Sequence, residues 1–343
     1  MEFAELGAVD EPLIPAFVSS PPLAATNSVR PDMPSPARIP HVADAPTIIV
    51  FDSGVGGLTV LRELLRVRPD ARFLYVADDA LFPYGALEEG QLIARVTDLI
   101  SALVQSHQPD LVVIACNTAS TIVMPALRAR FAIPFVGIVP AIKPACAASI
   151  SKRVSVLGTE GTVKREYTRG LIRQFAQQCQ VTLVGSPRLA AMAEAELTGI
   201  PAEDEAIQAE IEPCFVDDGA RTDTVVLACT HYPLLLARFE ALAPWPVRWI
   251  NPAPAIARRV VDLLGLPSDA DAVVVEPEII FTSGRLPSPA LCKVFSPTPL
   301  PSSSAKADDP VNTVSAKLNP AVFIGCPPEP VLGLTEGQTR VRA

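Results

Sequence analysis

The sequence is short of several features that define large classes of proteins. Lys and Arg number 28 against 37 Asp and Glu, so the net charge is −9 and there is no cationic surplus for a phosphate backbone. No uninterrupted apolar run reaches the roughly 18 residues of a membrane span. The N-terminus carries Glu2 and Glu5 where a secretory signal is positively charged. We therefore expect a cytoplasmic protein without direct contact to nucleic acid or membrane.

Paired cysteines are also missing. The chain has seven cysteines, an odd number, and no two of them form a Cys-x-x-Cys pair. They are Cys116, Cys146, Cys179, Cys214, Cys229, Cys292 and Cys326. This spacing predicts neither a disulfide scaffold nor a zinc site. We expect reduced thiols and no bound metal.

Proline is abundant but unevenly distributed. Of the 36 prolines, nine lie in residues 1–46 and eight in residues 297–343. We expect residues 1–46 to be a disordered, Pro-rich extension and residues 297–343 to be a low-complexity tail rich in Pro and Ser. The folded part is then about residues 47–296, which is long enough for two domains.

Within this part, short apolar runs alternate with helical patterns. The run 47–51 ends at a glycine-rich turn and is followed by leucines at helical spacing, and the runs 73–76 and 111–115 are also followed by helical patterns. Continuous apolar strands that alternate with helices are typical of parallel sheets covered on both faces. The sequence therefore predicts an α/β fold, in which ligands bind beyond the carboxyl ends of the strands.

An internal repeat refines this prediction. Residues 112–118 (VVIACNT) have a near copy at 225–231 (VVLACTH), and Pro140-Ala141 matches Pro252-Ala253 at almost the same offset. Chance similarity between short apolar strands is the alternative. We favour duplication, with two similar, pseudo-symmetric domains and an active site in the cleft between them. The first domain is predicted to comprise residues 47–141 plus 251–296, and the second residues 142–250.

Two cysteines occupy equivalent places in the repeat. Cys116 and Cys229 each follow a buried strand and precede a helix, where the helix dipole is expected to lower the thiol pKa. A pseudo-twofold relation would aim the two sulfurs into one cleft from opposite sides. One thiolate could then remove a proton from a carbon while the opposite thiol delivers one to the other face, which is racemisation. For the other cysteines we expect the role of small buried hydrophobic residues.

Polar residues near these cysteines are candidates for assisting roles. His231 lies two residues after Cys229 and is suited to shuttle its proton, although a histidine bonded to a backbone carbonyl is the alternative. Asp52 ends the first strand and is the candidate partner on the Cys116 side, or simply a turn former. Side chains at the strand ends could hold substrate carboxylates or act only as helix N-caps. They are Ser53, Asn117, Thr118, Thr159 and Thr230.

The glycine-rich turn at residues 52–57 also suggests a nucleotide site. The turn lacks the Gly-Lys-Ser/Thr of a P-loop, and Thr59 stands where a dinucleotide fingerprint requires a third Gly or Ala. We expect instead that the glycines allow the backbone to approach a small ligand closely.

From about residue 47 to residue 285 the sequence resembles the glutamate racemases, within the aspartate/glutamate racemase family. The motifs that carry the resemblance are residues 50–59 (VFDSGVGGLT), 83–85 (PYG), 115–120 (ACNTAS), 137–142 (GIVPAI) and 228–235 (ACTHYPLL). The resemblance implies interconversion of L- and D-glutamate without pyridoxal phosphate or metal, which supplies D-glutamate for peptidoglycan and so for the cell wall and cell shape.

The resemblance also implies roles for particular residues. Cys116 and Cys229 would be the two catalytic acid/base groups, assisted by Asp52 and His231. Glu194, at the end of the segment 187–194, matches the acidic residue of the family near the second cysteine. The substrate pocket would be lined by Asp52, Ser53, Pro83, Tyr84, Gly85, Asn117, Thr118, Thr159, Thr230 and His231.

The chain departs from the family pattern beside Asp78 and at Gly158, which replaces a frequent Ala before Thr159. Ala77 and Asp79 flank Asp78 where the family usually has Gly-Asp-Thr, and we expect activity to survive because residues 83–85 are intact. An activator of peptidoglycan-precursor type and a homodimer or monomer are further expectations. Two alternatives stay open, a racemase of the same fold for aspartate or another amino acid, and a regulatory protein that binds DNA gyrase.

Overall fold

A computed structural model describes residues 45–267 and 276–286 of the chain. The predicted Pro-rich extension lies outside these residues apart from its last two positions. The predicted C-terminal tail, Cys292 and Cys326 lie outside them entirely.

Short strands and helices alternate along the described chain. The strands are β1 (Thr47–Asp52), β2 (Arg72–Ala77), β3 (Leu111–Ile114), β4 (Phe135–Gly137), β5 (Arg153–Thr159), β6 (Gln180–Ser186), β7 (Thr224–Ala228), β8 (Arg248–Ile250) and β9 (Glu278–Phe281). The α-helices are α1 (Leu58–Val67), α2 (Glu89–His107), α3 (Asn117–Arg130), α4 (Ile142–Ala148), α5 (Glu160–Lys164), α6 (Glu166–Phe175), α7 (Leu189–Leu197), α8 (Asp204–Ile211), α9 (Leu236–Leu242) and α10 (Ala253–Leu264). Single 3-10 turns lie at Asp79–Leu81, Tyr84–Ala86, Glu212–Cys214 and Tyr232–Leu235.

The strands form two parallel sheets with the same internal order. The first sheet runs β4-β3-β1-β2-β9, and the second, read in the same sense, runs β8-β7-β5-β6. Every pairing in both sheets is parallel. The second sheet therefore repeats the first strand for strand, and β9 is an addition at the β2 edge. The predicted α/β fold with two similar halves is confirmed.

Both faces of each sheet are buried, which explains the continuous apolar runs in the sequence. In β1, Ile48 and Val50 point into one core while Ile49 and Phe51 point into another. In β7, Val225 and Val226 likewise serve opposite faces. Side chains of a strand alternate between its two faces, so a strand covered by helices on both sides carries apolar residues toward both faces.

The helix that follows the last strand of each repeat crosses to the other sheet. Ile142 and Ala145 of α4, which follows β4, are buried in the core of the second sheet beside β5. Ile256 and Ala257 of α10, which follows β8, are buried in the core of the first sheet beside α1. The crossings begin at the repeated Pro-Ala pairs, close to where the sequence predicted that the chain changes domain.

Within residues 45–267 and 276–286, every helix is too short or too polar to cross a membrane.

Candidate active site

Cys116 lies at the carboxyl end of the first sheet and caps a helix. It follows β3 and is the N-cap of α3, and its Sγ accepts a hydrogen bond from the Ala119 N–H at 3.5 Å. The Ser53 hydroxyl lies 3.5 Å from the same sulfur. Cys116 is only 5% exposed, so the sulfur sits in a small polar niche within an apolar environment.

Cys229 occupies the equivalent place in the second sheet. It follows β7 and is 6% exposed, and its Sγ lies 3.8 Å from His231 Nδ1. The segment after it is a 3-10 turn, Tyr232–Leu235, instead of the α-helix expected from the repeat. The two cysteines interact electrostatically, because negative charge on Cys229 contributes to a higher pKa at Cys116. The two predicted sulfurs therefore lie close enough for their charges to interact.

The expectation of a lowered thiol pKa is wrong for Cys116. Burial raises the pKa of this thiol well above its ordinary value, and the nearby charge of Asp52 raises it further. Hydrogen bonds from Ser53 and from the Ala119 N–H act in the opposite direction but are weaker. A helix N-terminus stabilises a thiolate only in part when the sulfur is desolvated, so Cys116 holds its proton at neutral pH.

On the other side of the site, His231 forms a hydrogen-bonded pair with Glu194. Nε2 of His231 lies 2.9 Å from Glu194 Oε1, while Nδ1 faces Cys229. Burial alone would lower the pKa of His231, but the contacts with Cys229 and Glu194 outweigh it and raise the pKa to about 10. Burial would raise the pKa of Glu194, but the hydrogen bond to His231 keeps it below its ordinary value. Both shifts favour an ion pair between His231 and Glu194.

The glycine-rich turn packs directly against this pair. A Cβ at Gly54 would lie 2.3 Å from Glu194 Oε1, and a Cβ at Gly56 would lie 2.5 Å from His231 Nδ1. The Val55 N–H donates to Glu194 Oε1 at 2.8 Å, and the Gly56 N–H points at His231 Nε2 at 3.2 Å. Gly54 and Gly56 therefore make room for side chains from the second half of the chain, and their close approach to a small ligand stays a prediction.

Asp52 lies beneath the same turn and is completely buried. Its Oδ1 accepts the Ser53 N–H at 2.8 Å, and its Oδ2 accepts the Gly57 N–H at 2.5 Å. The Thr230 hydroxyl is 3.4 Å from Oδ2. Burial raises the pKa of Asp52 to about 6, against the lowering effect of His231. Asp52 thus acts on Cys116 through its charge, and its bonded partners are the turn and Thr230.

Asn117 has an unusual environment. Its side chain is buried, with 2% of the residue exposed, yet neither the amide nitrogen nor the carbonyl oxygen has a hydrogen-bond partner in the described structure. Buried polar atoms of this kind are normally paired, because leaving them unpaired costs about 1–3 kcal/mol. Unpaired polar groups one residue from Cys116 are what a binding site for a polar molecule requires.

Three hydroxyls lie on the Cys116 side where the halves meet. Thr118 Oγ1 is 3.0 Å from Thr159 Oγ1 and 3.4 Å from Thr162 Oγ1. Thr159 also caps α5, because its Oγ1 accepts the Thr162 N–H at 3.1 Å. Thr162 was not predicted from the sequence. The signal that could have identified it is its position three residues after Thr159, a residue that caps a helix.

The segment 83–85 is fixed by a buried carboxylate. Tyr84 is 2% exposed and donates its hydroxyl proton to Asp78 Oδ2 at 2.6 Å, and Arg95 binds both oxygens of Asp78 at 3.0 and 2.6 Å. Pro83 and Gly85 are exposed, and a Cβ at Gly85 would lie 3.7 Å from Thr159. Tyr84 therefore supports the segment from beneath, and Gly85 reaches the three-hydroxyl group.

Sequence reasoning missed the polar contacts that support the site. The Tyr75 hydroxyl donates to the Gly54 carbonyl at 2.7 Å and so braces the glycine turn. Arg95 holds Asp78, and Arg285 contacts Glu194. Each partner lies far along the chain, and no local pattern marks it. Within residues 45–267 and 276–286, no group of three or more His, Cys, Asp or Glu side chains is arranged to hold a metal ion.

Comparisons with known proteins agree with this geometry. The family model described as Asp/Glu/Hydantoin racemase matches residues 59–260. The chain is 57% identical over 240 residues to the glutamate racemase of Agrobacterium fabrum, which covers 69% of this chain and 88% of the relative. It is 52% identical over 262 residues to the glutamate racemase of Brucella canis, and this match covers 76% of this chain and 94% of the relative.

A solved structure supports the same assignment. The structure of Escherichia coli glutamate racemase in complex with L-glutamate and the activator UDP-MurNAc-Ala matches with a TM-score of 0.64 and 38% identity. The match covers 74% of this chain and 93% of the E. coli chain.

The chain belongs to the Asp/Glu/hydantoin racemase family and is an amino-acid racemase, an isomerase. Within the family, these matches support racemisation of glutamate as its activity. They do not favour the alternatives of another amino-acid substrate or gyrase binding.

Proposed function

We propose that the protein interconverts L- and D-glutamate by proton transfer at Cα between two cysteines, Cys116 and Cys229, without a cofactor. The observation that carries this proposal is the equivalent position of the two buried sulfurs at the ends of β3 and β7, in two sheets of identical strand order. Mirror-image substrates require an acid and a base on opposite faces of one carbon, and a duplicated fold supplies that arrangement.

The two sides differ in the polar groups around the sulfur. Cys116 holds its proton, so it is the acid that delivers hydrogen to one face of Cα. On the opposite side Nδ1 of His231 faces Cys229 and is placed to stabilise negative charge that forms on that sulfur during proton transfer, and Cys229 is assigned as the base. One transfer leaves Cys116 as thiolate and Cys229 as thiol. The reverse reaction starts from that state, so no proton is gained or lost overall.

Substrate binding is assigned to the strand-end side chains. The unpaired amide of Asn117 offers both a donor and an acceptor to a molecule held beside Cys116. Ser53, Thr118, Thr159 and Thr230 offer hydroxyls, and residues 83–85 close the cleft near Thr159. Glu194 and Asp52 act indirectly, Glu194 through His231 and Asp52 through its charge and the glycine turn. Neutral donors suit an acidic protein that binds an anionic amino acid.

Several wider assignments follow from the same proposal. The domains are residues 47–141 with 251–296, and residues 142–250, with the substrate between them. The reaction supplies D-glutamate for peptidoglycan in the cytoplasm. Because the E. coli relative was solved with the activator UDP-MurNAc-Ala, we propose that a related peptidoglycan precursor activates this protein, which functions as a homodimer or monomer.

Deuterium incorporation tests the two-cysteine mechanism. Purified protein is incubated with L-glutamate in D₂O without added cofactor. Early D-glutamate should carry deuterium at Cα, whereas recovered L-glutamate should carry almost none, because the group that removes the proton is not the one that delivers the deuteron. Absence of both deuteration and D-glutamate would refute the proposal. Early deuterium in recovered L-glutamate at the level found in the product would refute the two opposed cysteines.

Substitution of the cysteines tests their assignment. Cys116→Ala and Cys229→Ala should each reduce kcat by about 10²–10⁴-fold, the usual contribution of a general acid or base. Cys146→Ala is the matched control, because Cys146 is a buried thiol in the core around α4 and away from the strand ends. Near-normal turnover by either strand-end variant contradicts the assignment. Turnover on L-aspartate, measured in parallel, separates glutamate from the nearest alternative substrate.

A further inference from the structure

The last described segment of the chain is bonded to the end of β2. The Thr282 N–H donates to the Ala77 carbonyl at 3.0 Å, and the Thr282 hydroxyl donates to Asp78 Oδ1 at 2.6 Å. The next residue, Ser283, donates from its N–H and its hydroxyl to the carboxylate of Asp79 at 2.9 and 2.6 Å. These contacts extend the β2–β9 pairing past the end of the strands and fix the position of Arg285.

Arg285 joins carboxylates from the two halves of the molecule. Its Nε lies 2.7 Å from Asp79 Oδ2, and its Nη2 lies 3.4 Å from Glu194 Oε2. The guanidinium also lies over the ring of Phe281, 4.4 Å from its centroid. Asp79 belongs to the first half and its side chain is 8% exposed, while Glu194 belongs to α7 of the second half and its side chain is 16% exposed. A planar guanidinium held by Asp79 and the Phe281 ring is well oriented toward its third contact, Glu194.

The two oxygens of Glu194 have different partners. Oε2 faces Arg285, while Oε1 is bonded to His231 Nε2 and to the Val55 N–H. His231 in turn faces Cys229 through Nδ1. A continuous line of contacts therefore runs from Asp79 through Arg285, Glu194 and His231 to the sulfur.

We propose that Arg285, anchored by Asp79, is a positioning residue that holds Glu194 and thereby the acid/base group formed by His231 and Cys229. The inference rests on the proposed racemase function and adds to it a residue from the C-terminal segment. It also gives a role to Asp79, one of the positions that depart from the family pattern, because here the aspartate anchors the arginine.

The charges around Glu194 define how Arg285 acts. Glu194 interacts electrostatically with His231, Arg285, Asp52 and Tyr75. Of these, Arg285 is the partly exposed cation and contacts neither sulfur. Its loss should therefore alter the orientation of Glu194 without removing a group that touches the substrate, so kcat should fall while KM changes little.

Steady-state kinetics on Arg285→Gln test the proposal. We expect kcat to fall about three- to fivefold, the effect of losing a partly exposed charge contact. Arg285→Lys, which keeps the charge, should recover part of the loss, and Asp79→Asn should cause a smaller decrease. Arg173→Gln is the matched control, since it removes an exposed Arg–Glu pair on α6 that is remote from the site. Unchanged kcat in Arg285→Gln, with active wild-type protein, overturns the inference and leaves the proposed function intact.

A double-mutant comparison establishes that the effect passes through Glu194. When Glu194→Gln is already present, adding Arg285→Gln should have no further effect on kcat. The imidazole NMR resonances give a second measure, since the sequence has only three histidines, His41, His107 and His231. Those of His231 should move in Arg285→Gln and stay unchanged in Arg173→Gln. If the wild-type protein fails to racemise glutamate, the proposed function fails, and the His231 resonances still decide whether Arg285 positions the pair.

Discussion

Replacing Gly56 by alanine tests whether the glycine turn is shaped by the second half of the chain. A Cβ at this position would lie 2.5 Å from His231 Nδ1 and 2.6 Å from the His231 backbone nitrogen, whereas ordinary contacts begin at 3.4 Å. Relief of the overlap requires a displacement of about 0.9 Å, the difference between these distances. The ring cannot relieve it alone, because the second contact is with backbone.

The expected consequences of this displacement are large. Overpacking of a close-packed interior costs about 1–3 kcal/mol, so the melting temperature should fall by about 3–10 °C for a folded region of this size. Because a misplacement of about 1 Å at a catalytic group lowers rates roughly 100-fold, kcat should fall by about that factor. Both effects come from the single added methyl group.

Thermal unfolding and D-glutamate production measure the two effects. Gly90→Ala is the matched control, since Gly90 lies in α2 and a Cβ there meets nothing within 4 Å. A helix glycine changed to alanine at a compatible position gains about 0.4–1 kcal/mol, so the control should melt slightly higher and turn over normally. If Gly56→Ala melts with the wild-type protein and retains turnover within threefold, the described contact between the turn and His231 is wrong.

Two further predictions concern buried polar side chains. Asn117→Leu replaces an unpaired amide by an apolar group of similar size, so it should raise the free energy of unfolding by about 1 kcal/mol and reduce kcat/KM for glutamate about tenfold or more. Denaturant titration and steady-state kinetics measure the two effects. A loss of stability would contradict the unpaired state of the amide. Asp78→Asn should destabilise the fold by about 1–3 kcal/mol. Hydrogen bonds from Arg95, Thr282 and Tyr84 lower the pKa of Asp78 although burial acts the other way. Its contribution is therefore complete above the ordinary carboxyl pKa of about 3.9 and lost as the pH falls through the lowered value. The stability difference between wild type and Asp78→Asn should narrow below about pH 4, and a gap that widens in acid would refute the assignment.

The fold was predictable because the sequence patterns that determine it lie within short segments and occur twice along the chain. The runs that became β1, β2 and β3 are continuous and apolar, and burial on both sheet faces requires that pattern. The near identity of residues 112–118 and 225–231 reflects equal positions in two sheets of the same order. The two cysteines could be singled out for the same reason, since the repeat marks them and leaves Cys146 and Cys214 unmarked.

The parts of the site that sequence did not predict depend on packing between distant segments. The glycines of the turn were expected to serve a ligand, but Gly56 meets His231, which lies 175 residues further along the chain. The pKa of Cys116 was expected to fall with its place at a helix N-terminus, but desolvation, which only the assembled core provides, is the larger effect. Asp79 and Arg285 contact each other although they lie 206 residues apart in the sequence. Neither residue type is unusual in its local context.

The exchange of α4 and α10 between the two sheets has a consequence for how the molecule unfolds. A polypeptide ending near residue 141 would lack Ile256 and Ala257, and the face of its sheet that these residues cover would be exposed to water. A polypeptide confined to residues 151–250 would likewise lack Ile142 and Ala145. Melting of the first sheet therefore releases α10 together with residues 47–141, and melting of the second sheet releases α4 together with residues 151–250. Each half of the molecule unfolds with the helix that the chain contributes from beyond the crossing, so a truncation at either crossing uncovers apolar surface that the complete domain keeps buried.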